Sequence, residues 1–244
     1  TGDGGARGVT GSEIEITTLN NFTVKGFTTG ISYDGVWLSN MYNVACRENG
    51  TGFWINDTIR ETSDLRLIGC DFNKNTITQV RMDGTGISTI RPVAVRFIGC
   101  QIEDGNQAND IQQLQINMAD RCYFTDCAIN TRSDRTQATA AIGIVKGLVF
   151  TSCYLQGATT ANTVTFNDAA GETCEFVSCE FKGGNKDINI PTGNMNSVKV
   201  IGGIVDNSNI VDPDGVVDSL IIDDSVIGKR ANGDDTVMVR SKKA

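Results

Sequence analysis

The chain has 244 residues, 39% of them hydrophobic, a formal net charge of −8 and no histidine. That is enough for one sizeable core without division into domains, and the acidic balance gives no broad attraction to nucleic acid phosphates or anionic membrane, so neither partner is expected. The missing histidine removes His-based triads, Cys/His zinc sites and imidazole acid/base chemistry, which leaves Asp, Glu, Arg, Lys, Tyr and Cys.

The chain opens with TGDGGARGVTGS, Gly-rich and weakly apolar, and residues 1–13 read as an irregular lead-in or cap remnant. Residues 14–244 are expected to form a single domain built on one repeated unit. Its clearest copy is VAVRFIGCQIEDG at 93–105, and it returns as DLRLIGCDF, RCYFTDCAI, GLVFTSCYL and TCEFVSCEF. Weaker copies precede these (Leu19, Phe22, Val24; Met41, Val44, Cys46) and follow them (Val200, Gly203, Val205; Ile222, Ser225, Ile227). The nine copies place the cysteine-equivalent position at 22, 44, 70, 100, 127, 153, 179, 203 and 225, spaced 22 to 30 apart, which is solenoid periodicity.

Within a copy, Val95 and Phe97, then Cys100 and Ile102, alternate with polar neighbours, so the segments are strands rather than helices. The residues between Phe97 and Cys100 bend the chain between two short strands. A third strand follows in each copy: GFWIND, TQVRMDG, LQINMAD, AIGIVKG, NTVTFNDA and KDINIPT. TVMVR near the end fits a last one. Three short strands per turn make an all-β parallel solenoid, a β-helix of about nine turns; the Leu/Asn spacing of a leucine-rich repeat is missing. Stacking explains the eight cysteines better than a disulfide framework does, because Cys70, Cys100, Cys127, Cys153 and Cys179 share one repeat position. They read as small buried residues. No metal site and no cofactor are expected. No apolar stretch approaches the roughly 20 residues of a membrane span. Open stack ends are exposed strand edges, so missing segments of a longer protein or an oligomer are expected to cover them.

These three-strand turns resemble the right-handed parallel β-helix superfamily of pectate lyases, polygalacturonases and bacteriophage tailspikes. The irregular turn lengths, few prolines and FxxC core look most like a phage tailspike or tail-fibre polysaccharide depolymerase. The resemblance spans residues 14–240 and is architectural. It implies a homotrimer of side-by-side β-helices, located extracellularly on a virion tail or bacterial surface, that binds or cuts bacterial surface polysaccharide. The polygalacturonase residue set is not present: Gly-Asp-Asp occurs at 233–235, but without the histidine of the Gly-His-Gly element.

In this architecture the third strand and its flanking loops generally form the substrate groove. Its outward residues are then Trp54, Arg81, Asn117, Thr165 and Asn189, with Asp57, Asp83, Asp120 and Asp168 just beyond at nearly equivalent positions. Asp and Asn at strand ends commonly serve turn chemistry. Aligned carboxylates, however, raise a pKa, attract a cation or flank a glycosidic bond. The catalytic candidates are therefore Asp57, Asp83 and Asp120, with Arg81 as charge stabiliser. The longest connections lie in mid-chain and offer Glu103, Asp104, Asp110, Arg132, Asp134 and Arg135. Trp54, Asn117, Glu103, Asp104, Arg132 and Asp134 are the substrate-binding candidates, Trp54 because an indole face stacks on sugar C–H surface. Arg66 and Arg96 should stack on another outward column, relieved by acidic neighbours such as Asp64. Three functions stay open: a polysaccharide-cleaving hydrolase or lyase, a non-catalytic carbohydrate- or receptor-binding module, and a structural shaft of a fibre or adhesin.

Overall fold

Backbone hydrogen bonds in a β-helix run from coil to coil, so the fold is defined by which residues stack. The computed structural model describes residues 6–85, 90–104, 110–167, 172–190, 197–205, 210–211, 219–222, 227–229 and 235–236. These residues form an all-β solenoid of parallel strands, with no helix among them. One coil illustrates the rest: Arg96–Ile98, Gln101–Glu103 and the longer Gln112–Asp120. The long strands stack into one nine-stranded sheet, and the short ones share a 17-stranded sheet folded along the bend between them.

About seven coils are complete among the described residues (18–34, 40–57, 66–84, 96–120, 123–146, 148–166 and 173–189), against the nine copies of the repeat. The last two copies fall on Ser197–Val205 and on Ser219–Ile222 with Ile227–Lys229, and much of that stretch lies outside the described residues. At the start, Arg7–Ser12 already pairs in parallel with Thr29–Asp34, so regular structure begins inside the segment expected to be irregular. Its Gly-rich composition hid the pattern. Asp235–Thr236, at the beginning of the expected last third strand, instead pairs antiparallel with Ile227–Lys229.

The inward columns follow the repeat. One runs Leu19, Met41, Leu67, Phe97, Phe124, Phe150, Phe176 and Val200. The other runs Val24, Cys46, Phe72, Ile102, Ile129, Leu155, Phe181 and Val205. From Phe97 to Phe176 the rings lie nearly parallel, with centroids 4.5, 4.8 and 5.0 Å apart, close to the strand spacing. Each coil thus completes the core of the next.

All eight cysteines are free and buried. In the central column Cys100, Cys153 and Cys179 each point Sγ at a carbonyl of the preceding coil, at 3.3, 3.3 and 3.4 Å. Contact with the Cys127 thiol, together with burial, pushes the Cys100 and Cys153 thiols well up, so they stay neutral. The column ends at Gly203, where a Cβ would lie 2.1 Å from the Cys179 carbonyl oxygen.

The bend before each cysteine position has one geometry. Asn21, Asn43, Gly69, Gly99, Asp126, Ser152, Ser178 and Gly202 all have φ between 50° and 62°. The residues are those that tolerate left-handed backbone best, with serine the least suited. The corner between second and third strands is held by buried amides. Asn49 donates Nδ2 to Asn75 Oδ1 at 3.1 Å, and Asn75 Nδ2 in turn donates to Gln79 Oε1 and to the Cys46 carbonyl. The facing residue has to be glycine: a Cβ on Gly52 would sit 2.5 Å from Asn75 Nδ2.

Candidate functional site

On the outer face of the nine-stranded sheet, alternation points every second side chain to solvent and stacking sets it beside its equivalent one coil away. Here the register brings Ser32, Trp54, Arg81 and Gln115 into one row. Asn117, expected in that row, lies two residues further along the same face. There it meets Asp83, because Met82 pairs with Ile116 and the next residues fall opposite one another.

Four sequence candidates therefore converge. The Asp83 carboxylate accepts from Trp54 Nε1 at 2.7 Å, from Arg81 Nε at 2.7 Å and from Asn117 Nδ2 at 2.5 Å. Gln115 Nε2 reaches Asn117 Oδ1 at 3.3 Å. Asp83 is only 9% exposed, so this buried anion depends on its three donors. Two guanidiniums flank the indole: Arg81 with Cζ 5.3 Å from the Trp54 ring centroid, and Arg7 at 6.0 Å. Arg7 was missed in the sequence because it lies in the segment read as irregular. The arrangement is a flat aromatic surface fixed at its N–H edge, with cations beside it and amides along one flank.

The other two catalytic candidates are elsewhere. Asp57 pairs with Gly84, not Asp83, so it falls on the opposite face of its strand. It is fully buried and accepts from Thr62 N at 2.6 Å, Thr62 Oγ1 at 2.6 Å and Gly35 N at 3.3 Å, closing the corner after the third strand. Burial pushes its carboxyl up to about 6. Asp120 pairs with Lys146, three residues beyond the Asp83–Asn117 level, and its partners are Arg91 and Arg121, each at 3.4 Å. The three aspartates thus occupy three different positions rather than the shared one expected. A strand of alternating faces separates neighbours in sequence that a loop would leave together. Asp168 lies outside the described residues.

The mid-chain connections meet at the opposite edge of the sheet, before the third strand. Asp104 and Arg135 form an ion pair at 2.5 Å with side chains 0% and 6% exposed, which ties two coils together and encloses Asp104 away from any ligand. Asp110 accepts from the backbone N–H of Thr136 at 3.1 Å and of Gln137 at 3.2 Å, a second tie. Glu103 accepts from Asn130 at 3.1 Å, and Arg132 pairs with Asp134 at 2.9 Å in the open. Of this group Glu103, Asp110, Arg132 and Asp134 are reachable from solvent, at the other end of the strand from Asp83. The Arg66–Arg96 column forms as expected, with Asp64 4.0 Å from Arg96 and the Arg96 guanidinium 5.7 Å from the Tyr123 ring centroid. Among the described residues no group of three or more Cys, Asp or Glu side chains could hold a metal ion, and no helix is long and apolar enough to cross a membrane.

No protein-family model matches the chain, and no curated protein matches it. Two solved structures are similar in fold. A protein of Geobacillus virus E2, ORF18, superposes with a TM-score of 0.59 over 77% of this chain at 19% identity. The gp42 tailspike of Acinetobacter phage vb_AbaP_AS12 gives a TM-score of 0.60 over 93% of this chain at 10% identity. This chain spans 39% and 49% of those two proteins. Its coils, stacked columns and long-strand sheet thus make it a parallel β-helix with the fold of phage tailspike proteins.

Proposed function

We propose that the chain is the β-helical part of a bacteriophage tailspike-like protein that binds a bacterial surface polysaccharide on the outer face of its nine-stranded sheet. The observation that carries this reading is the Trp54 ring, anchored through Nε1 to Asp83 at 2.7 Å and flanked by Arg81, with Asn117 on the same carboxylate. An indole offers apolar area for the C–H face of a sugar at low entropy cost, and the adjacent amides offer directional hydrogen bonds to hydroxyls. The same reading puts the protein on a virion tail as a homotrimer.

Binding is favoured over cleavage at this face. Hydrolysis calls for two carboxylates across one glycosidic bond. Asp83 has three donors on it, while Asp57 faces inward and Asp120 is held by two arginines. The test is a panel of capsular and O-antigen polysaccharides, followed for binding, for new reducing ends and for the ultraviolet absorbance of an unsaturated uronate. Binding without either product is expected, and Trp54→Ala should weaken it about tenfold or more, with a lowered melting temperature because Asp83 loses one of its three donors and with circular dichroism unchanged below it. Binding that survives Trp54→Ala unchanged would move the site off this face. New reducing ends lost in Asp83→Asn would make the site catalytic.

A further inference from the structure

We propose that the polysaccharide bound at this face is acidic, with its carboxylates met by Arg7 and Arg81 on either side of the Trp54 ring. This deepens the binding reading above and rests on it. Arg7 is exposed, and among the described residues it makes no ion pair; what it has is the face of Trp54 at 6.0 Å. Arg81 gives its Nε to Asp83 at 2.7 Å, and its two terminal nitrogens donate to no described residue. Asp83 is the carboxylate at this spot, and its three donors already engage it. Two guanidiniums against one carboxylate leave an excess of one positive charge on a chain whose net charge is −8. Arg7 lies on the first long strand and Arg81 on the fourth, either side of Trp54 on the third, so an acidic polymer crossing the ring passes both positive charges. A guanidinium presents its N–H groups as a planar fork that fits a carboxylate in two bonds, which a sugar hydroxyl cannot reproduce. Trp54 then carries the ring of the same sugar, while Gln115 and Asn117 face its hydroxyls.

The experiment presents each member of a capsular and O-antigen panel twice: native, and after reduction of its uronic carboxyls to primary alcohols. The expected result is binding to acidic members that falls about tenfold or more on reduction, and by a similar factor in Arg7→Gln with native polymer. Arg7→Lys should recover part of the loss, since charge returns without the fork. Arg7 is exposed and makes no ion pair with a described residue, so circular dichroism and melting of both variants should match the parent protein. Equal binding of native and reduced polymers, or binding of neutral members alone, overturns the acidic ligand and leaves the binding reading standing. Failure to bind any member overturns both.

Discussion

Asp57 was read as a catalytic candidate and is instead a buried corner residue whose ionisation couples stability to pH. Burial raises its carboxyl from 3.8 to about 6, against the lowering effect of its hydrogen bonds from Thr62 and Gly35. The folded chain therefore holds this proton more tightly than the unfolded chain does. Its contribution to stability is complete below about pH 4 and is lost as pH rises through about 6. The interval from 3.8 to about 6 corresponds to roughly 3 kcal/mol. Asp34 and Asp110 act in the opposite sense. Partial burial raises each, but hydrogen bonds from Thr58 and Ile59, and from Thr136 and Gln137, outweigh it and hold both low. Their contribution is lost as pH falls below about 4. Unfolding followed at about pH 4.5 and about pH 7.5 should show the parent protein losing stability toward the higher pH relative to Asp57→Asn. Parallel behaviour of the two proteins would mean that Asp57 is ionised throughout.

At the scale of the element, the bend between the two short strands decides most of what the repeat can tolerate. Ser152 sits there with φ 51°, sharing the left-handed geometry of Gly99 two coils away. Ser152→Gly should be neutral or slightly stabilising, whereas Ser152→Val should cost about 1–3 kcal/mol, because a β-branched side chain is least compatible with positive φ. Denaturant midpoints of the two variants check this, and equal midpoints would mean the bend relaxes. The signal was present in the sequence. The residue before each cysteine-equivalent position of the repeat is Asn, Gly, Asp or Ser, set after an apolar strand. Core columns were legible for a similar reason: alternation fixes which side chain faces inward, and the period fixes its neighbour. Exact register along the third strand was not, because connections before it vary in length. That is why Asn117 was placed level with Arg81 rather than Asp83, and Asp57 level with Asp83 rather than Gly84. The Asn49–Asn75–Gln79 corner escaped notice because isolated amides look like ordinary turn residues until stacking buries them.

For the whole molecule, cooperativity is the property a quasi-one-dimensional stack controls most directly. The eight free cysteines, all buried, report on it without added probes. In native protein none should react with a thiol reagent on the timescale of minutes, and all eight should react after denaturation. Under mildly destabilising conditions the outer thiols, Cys46 at one side and Cys174 and Cys179 at the other, should react before Cys100 and Cys127. Identical rates at all positions would instead show that the stack opens as one unit. The direction of the backbone hydrogen bonds carries a mechanical consequence. Because they run from coil to coil, a pull along the rod loads them one rung at a time, like a zipper. A load across the rod meets many rungs at once, in shear. A β-helix used as a spike is thus stiff to sideways blows and yields lengthwise by peeling, each released coil of 22 to 30 residues paying out on the order of 70–110 Å of slack.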